Sequence, residues 1–381
     1  MKEYILTAEV VEPICLAKRQ EAGNIYETLD YIPGRLIWGA LASLTGIRPG
    51  KKPGDEFLEV FFSDNVIFSN LYPTDETKAF RSKPIPLSAR ALKEAPGFKE
   101  DELPDLPGRY GKGIWDWLMD GIPEDVVKEE YEKYPGFYIY DPPNCKKVSI
   151  PKFYLTQHER DSVRGVSKEG RLFVRELFQR GEAFLGFIRS ISADGDKVLE
   201  WLFGEIGSKA GINLEIPIGR SPGRINLTVE DAMSCSKHPL YKELPTLNSD
   251  GIFTITCVSD TIVLDQFLRP LKYVPKDLVL RELYGVIKTC EVIRHFSAAE
   301  VIRGWSGVYQ RPCEDEVAIA KGSAFLFKYG LGDGKKSEDL IRTLNELQKR
   351  GLGLRKAEGF GEISINETFH HEYKRCPEEG R

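Results

Sequence analysis

The chain has 381 residues, 41% hydrophobic and 29% charged, a composition that excludes global disorder and, at roughly 150 residues per domain, leaves room for more than one core. Its formal charge of −5 argues against a uniformly basic nucleic-acid binder. The sum hides structure, however, because 93–135 holds 12 acidic and 6 basic side chains while 151–190 holds 8 basic and 5 acidic ones.

No window approaches the ~18 uninterrupted apolar residues of a membrane span. Met1-Lys2-Glu3-Tyr4, with Glu9 and Glu12 close behind, does not read as a secretory signal. The 7 cysteines include no CxxC pair, which fits a reducing, cytoplasmic setting.

In chain order, 3–12 is rich in β-branched and apolar residues and predicts a strand. After the turn Tyr31-Ile32-Pro33-Gly34, the spacing of Leu36, Ile37, Ala40, Leu41 and Leu44 predicts a helix over 35–44, opened by Pro33 and closed by Gly46. Residues 48–150 are irregular, Pro-rich and charged. They read as an insertion with a helical piece around 113–133 and an acidic, solvated face. Regularity returns with a short element over 170–180, a strand over 183–191 and a short helix over 194–203. The turn Ile218–Arg224 then leads into a strand over 225–229, and 237–250 reads as a linker.

The second half repeats the plan, with strands over 252–258 and 323–327 and an amphipathic helix over 337–350 carrying Leu340, Ile341, Leu344 and Leu347 on one face. That helix runs into Gly351-Leu352-Gly353-Leu354-Arg355-Lys356-Ala357-Glu358-Gly359-Phe360-Gly361 and a strand over 362–366. Each half therefore ends as helix, glycine-rich basic loop, alternating strand. The expected fold is α+β: two tandem ferredoxin-like (βαββαβ) domains at 1–236 and 251–381, with 48–150 inserted in the first.

Three segments carry candidate chemistry. Glycines in 351–361 let backbone N–H groups approach a phosphate, and Arg355 and Lys356 add charge; a hairpin docking on its own domain is the alternative. The loop follows a helix and precedes a strand, the reverse of a dinucleotide-binding turn. The helix entered through Pro33-Gly34 presents N–H groups and Arg35 to an anion, or is simply a half-buried helix with Trp38 in the core. In 158–180, His158, Arg160, Arg164, Lys168, Arg171, Arg175 and Arg180 alternate with aromatics, a mixture suited to single-stranded RNA or to an exposed charge-mixed loop. No acid–base pair is evident around His158. The pair Cys235 and His238 lacks the second half of a zinc site, so neither metal nor cofactor is expected.

Tyr31-Ile32-Pro33-Gly34 with Gly39-Ala40-Leu41, His158 through Gly170-Arg171-Leu172-Phe173 and Glu176, Ser259-Asp260 with Val263-Leu264-Asp265, Gly304-Trp305, Gly322-Ser323 and the 351–361 loop together resemble the RAMP superfamily of CRISPR-associated proteins. The sequence looks most like the large two-domain RAMP subunit of type III-D effector complexes. The resemblance implies a non-catalytic RNA-binding subunit in antiviral defence. Its partners would be crRNA, held at the 5′ tag, the large polymerase-cyclase-like subunit and the backbone RAMP subunits. Taken together with the readings of the residues above, the expected RNA contacts are Gly34, Arg35, His158, Arg160, Arg164, Gly219, Arg220, Arg224, Gly351, Gly353, Arg355, Lys356, Gly359, Phe360 and Gly361. A RAMP endoribonuclease acting through His158 and a purely protein-binding scaffold are the alternatives.

Overall fold

The computed structural model describes residues 2–20, 25–46, 52–99, 102, 108–119, 121–122, 130–141, 144–160, 167–206, 212–219, 223–232, 251–306 and 311–373. It is a sheet-rich α+β structure with few helices. Contacts divide the chain into two units, 1–82 with 148–240 and 83–147 with 241–381.

In the first unit, strand Glu3–Glu12 pairs antiparallel with Ala183–Ser190 on one side and Arg224–Asp231 on the other. Val66–Phe68 extends the sheet beyond Ala183–Ser190, and Ile212–Pro217 beyond Arg224–Asp231. Helices Gly34–Leu44 and Asp55–Phe62 lie in sequence between the first and second of these strands, and Ala193–Glu205 follows the third. Taken as four strands in chain order (3–12, 66–68, 183–190, 224–231), the spatial order is fourth, first, third, second. Because strand side chains alternate between faces, Leu6, Ala8 and Val10 share one face, where they join Ile37, Leu41, Leu199 and Leu202 in the core.

The second unit repeats this order. Ile252–Cys257, helix Lys276–Glu282, Ile287–Phe296, Ala324–Leu331, helix Ser337–Arg350 and Ile363–Ile365 follow one another in sequence, and the strands again lie second, third, first, fourth across the sheet. Phe253, Ile255, Phe325 and Phe327 meet Leu340, Leu344 and Leu347 on the helix side. The same alternation sends Thr254, Thr256, Ala324 and Leu326 to the other face, and that face is filled from within the unit. Leu118 packs on Ala324 and Leu326. Phe369, on helix Thr368–Glu372, joins Ile85, Ala89, Phe98, Ile114 and Tyr138.

The expected insertion 48–150 divides in two. Its first part supplies helix Asp55–Phe62 and strand Val66–Phe68 to the first sheet, because Phe57, Val60, Phe61, Val66 and Phe68 are core residues there. Its remainder, 83–147, clusters with the second unit. In place of a helix around 113–133, Ile114–Asp116 and Tyr131–Lys133 pair with the two sides of Ala89–Leu92, while 123–129 lies outside the described residues. The linker 237–250 lies outside them as well. Helix Lys276–Glu282 and strand Ile287–Phe296 complete the second repeat, in a stretch for which no element is expected above.

Candidate functional site

The terminal glycine-rich loop leaves helix Ser337–Arg350 through Gly351 at φ 75°. Its backbone N–H groups are largely engaged by its own unit. Leu352 N donates to Gly361 O at 2.8 Å, Leu354 N to Ile262 O at 3.0 Å and Gly361 N to Asp260 O at 3.0 Å. A Cβ on Gly351 would sit 2.7 Å from Gly361 O, one on Gly353 would run into Ile262 O, and one on Gly361 would fall on Leu352 O. Glycine is required here for backbone-to-backbone approach. The close approaches at Gly351, Gly353 and Gly361 are those of the alternative, a loop docked on its own domain.

Arg355 is a half-buried residue in the left-handed region at φ 55°. Its Nε donates to Glu358 Oε1 at 2.8 Å, its second terminal nitrogen to Glu358 Oε2 at 2.5 Å, and the remaining one pairs with Glu316. The Glu358 hydrogen bonds outweigh burial and hold the guanidinium above its ordinary range. Two carboxylates thus already neutralise the charge that was read as a phosphate partner. Lys356 and Phe360 are both buried. Beside Arg355 lies a groove of about 170 Å³ lined by Ile262, Leu264, Pro270, Asp315, Glu316, Val317 and Leu354.

Several of the residues quoted for the resemblance in this unit, Ser259, Asp260, Gly322 and Ser323, meet at one backbone junction. Gly322 N donates to Cys257 O, Cys257 N to Ser323 O, Lys321 N to Asp260 Oδ1 and Glu362 N to Ser259 Oγ. Gly322 holds φ 81°, and a Cβ there would meet Ile85 O at 2.8 Å. Ser259-Asp260, Gly322-Ser323 and Gly361 are therefore explained by chain crossing.

In the first unit, Gly219 at φ 74° packs against the chain at Ile14–Leu16, and a Cβ there would lie 2.8 Å from Cys15 O. Arg224 is exposed, with its guanidinium 2.7 Å from Glu215 and 3.3 Å from Glu12. Arg220 lies outside the described residues. Gly34 N donates to Asn70 Oδ1 at 2.8 Å, so the first N–H of that helix is taken. Arg35, half-buried in the first turn, makes no hydrogen bond or ion pair with a described residue. Trp38 packs against the core rather than inside it and donates from Nε1 to Phe61 O at 2.9 Å.

His158 and Arg160 lie near the end of strand Lys152–Arg160, which pairs antiparallel with Ser167–Phe178; His158 stands opposite Leu172 and Arg160 opposite Ser167. Arg164 lies outside the described residues. Of the aromatics in this hairpin, Phe178 is fully buried and Phe153 and Phe173 pack in a small cluster, so Tyr154, 66% exposed, is the one presented to solvent. At its base Lys152 meets Asp30 at 2.6 Å and Glu176 at 3.3 Å. Burial pulls the Lys152 ammonium down, and the Asp30 and Glu176 carboxylates more than reverse this.

Sequence reasoning missed a buried network in the second unit. His370 Nδ1 lies 2.8 Å from Asp116 Oδ2, and His370 Nε2 lies 2.7 Å from Thr256 Oγ1. This is the order of a hydroxyl, a base and an orienting acid, but all three side chains are buried. No substrate reaches them, and the arrangement is a structural pin. Nearby, buried Glu367 accepts from Lys83 at 2.6 Å and from Tyr138 at 3.1 Å, and it also bonds Ser364. Burial alone would raise the Glu367 carboxyl; the Lys83 ammonium and these donors outweigh it and hold it down to about 2. Asp116, Thr256 and His370 lie more than a hundred positions from one another, so no local pattern announces their network.

Burial pushes the Cys257 thiol up to about 12 and Cys290 to about 11, which makes both core thiols rather than nucleophiles. Among the described residues, no three His, Cys, Asp or Glu side chains form a metal-sized group, and no helix is long and apolar enough to cross a membrane. Cys235 and His238 lie outside the described residues.

No family model matches the chain, and no curated protein does. Among solved structures, a chain of a type III-B Cmr-beta complex bound to cognate target RNA is 14% identical with a TM-score of 0.45, covering 91% of this chain and 94% of that one. A RAMP protein binding different RNA substrates is 9% identical with a TM-score of 0.35, covering 96% and 100%. Thermus thermophilus Cas6 is 10% identical with a TM-score of 0.34, covering 96% and 98%. At these values the likeness fixes neither the family nor the role of the chain.

Proposed function

We propose that the chain is a tandem of two ferredoxin-like RAMP domains and acts as a non-catalytic RNA-binding subunit of a type III CRISPR effector, of the III-D kind. In this reading it holds the crRNA 5′ tag and contacts the large polymerase-cyclase-like subunit and the backbone RAMP subunits. One observation carries the reading. Both units run strand–helix–strand–strand–helix–strand with the same spatial strand order, and each uses glycines at positive φ between its last helix and last central strand. That architecture agrees with the motif resemblance across both halves.

RNA contact in this account comes from side chains rather than from the glycine loop, whose N–H groups are mostly engaged. Arg35, His158 and Arg160, with Arg164 further along the sequence, are the first-unit candidates. Cleavage of RNA through its 2′-OH needs a base and an acid placed together at the scissile phosphate, and loss of either typically costs about 10²–10⁴-fold. His370, paired with Asp116, is buried and fully engaged, so that pair offers RNA no base. Incubating the purified protein with labelled repeat RNA, with and without Mg²⁺, tests the non-catalytic part. Intact RNA is expected, and site-specific cuts abolished by His158→Ala would overturn it.

A further inference from the structure

The connection after strand Ile252–Cys257 carries an exposed surface just beyond the Val263-Leu264-Asp265 motif. Leu264 and Pro270 bridge the two sides of a turn that Asp265 clamps from within. Asp265 Oδ1 accepts from Phe267 N at 2.8 Å and Arg269 N at 2.9 Å, and Oδ2 accepts from Arg269 Nε at 2.8 Å. The backbone adds Asp265 N to Arg269 O at 2.9 Å and Leu268 N to Asp265 O at 3.0 Å.

This rigid turn holds Phe267 67% exposed and Leu268 76% exposed, with Leu268 at φ 61°. Bulky residues avoid the left-handed region, and Leu268 adopts it at the exposed tip of this turn. The Arg269 guanidinium lies 5.1 Å from the centre of the Phe267 ring, covering one face. A few residues on, Tyr273, 46% exposed, meets the exposed His295 ring at 6.2 Å and 31°. His295 in turn stacks on buried Phe325 at 6.0 Å and 12°, so a row of three rings runs from the core to the surface.

The charges around these rings are mainly positive. Arg269 and Asp265 pair with each other, and beyond that pair Lys272 and Lys276 are exposed against Asp277. Lys272 makes no hydrogen bond or ion pair with a described residue. Exposed aromatic faces held rigidly among cations suit nucleobases, whose stacking is tolerant of sequence, with lysine or arginine on the phosphates between them. A duplex buries its base faces and could not use such rings.

The geometry points to the 265–273 turn together with His295 as a binding site for single-stranded RNA, with bases stacked on Phe267 and on the Tyr273–His295 pair and a phosphate on Lys272. This rests on the RNA-binding reading above and adds a site on the second unit. Its test uses the full chain and a short fluorescein-labelled single-stranded RNA, alongside the same strand annealed to its complement. Phe267→Ala combined with Tyr273→Ala should weaken single-strand binding about tenfold or more, leave the salt slope unchanged and leave duplex binding unaffected. Tyr273→Phe should retain affinity, which separates ring stacking from a folding defect. Lys272→Ala should reduce the log–log salt slope by about 0.7. Wild-type binding that survives the double substitution overturns this site while leaving the RNA-binding reading intact; failure of the wild type to bind overturns both.

Discussion

His370 Nδ1 stands 2.8 Å from Asp116 Oδ2 with both side chains at 0% exposure, although 254 positions separate them in sequence. Thr256 on the central strand closes the network from the other ring nitrogen. One imidazole therefore joins the 83–147 segment, the helix Thr368–Glu372 and the sheet of the second unit. Removing it leaves a buried carboxylate and a buried hydroxyl without their main partner, at a cost of about 3 kcal/mol or more. His370→Ala should lower the denaturant midpoint of the second unit accordingly. A loss under about 1 kcal/mol would show that the network does not hold these elements together.

Glu367 sets an acid limit on the same region. Its carboxyl is held at about 2 in the folded chain, against about 4.3 in an unfolded one. A depressed acid stabilises above the unfolded value, and its contribution is lost as pH falls from there through the folded value. The stability at stake is on the order of 3 kcal/mol. Wild-type stability should drop between about pH 4.5 and pH 2, and Glu367→Gln should flatten that drop while lowering stability at neutral pH. Equal acid slopes for the two proteins would contradict the assignment.

Much of the fold was legible because its elements are locally periodic. Leu340, Ile341, Leu344 and Leu347 mark one face of a helix, and Leu6, Ala8 and Val10 alternate along a strand, so both elements stood out. The filling of the second sheet's helix-free face was not legible. It comes largely from 83–147, whose buried residues, Phe98, Trp115, Asp116 and Tyr138 among them, lie in loops and short strands without a period. The glycine loop stands out in the sequence, and its close approaches are to carbonyls of its own unit. Glycine allows approach to a phosphate and to a carbonyl alike, and the sequence does not say which one lies opposite.

Two glycines separate those roles experimentally. Gly39 lies within helix Gly34–Leu44 with open space where a Cβ would go, so Gly39→Ala should stabilise by about 0.5–1 kcal/mol through helix propensity. Gly361→Ala places a methyl on the Leu352 carbonyl at φ 73° and should destabilise by more than about 2 kcal/mol. Thermal unfolding of the pair checks both. A neutral Gly361→Ala would mean that the loop is not docked as described.

Arg355 gives a sharper contrast with the sequence reading, in which it pairs with phosphate. Paired with Glu358 and Glu316, it should act on stability instead. Arg355→Ala should lower the melting temperature and leave the salt slope of RNA binding within error, whereas a true phosphate contact would reduce the slope by about 0.7. A reduced slope with unchanged melting would restore the phosphate reading.

The account's central claim is that the chain holds a defined end of crRNA as part of a multisubunit assembly. Purifying the tagged full-length protein from cells that express its genomic neighbours, then sequencing the bound RNA with its ends mapped, tests that claim most directly. The account predicts co-purified RAMP and large polymerase-cyclase-like subunits and RNA that begins uniformly in the repeat-derived 5′ tag. Recovery of the protein alone, or with RNA of random origin and ragged ends, would contradict it.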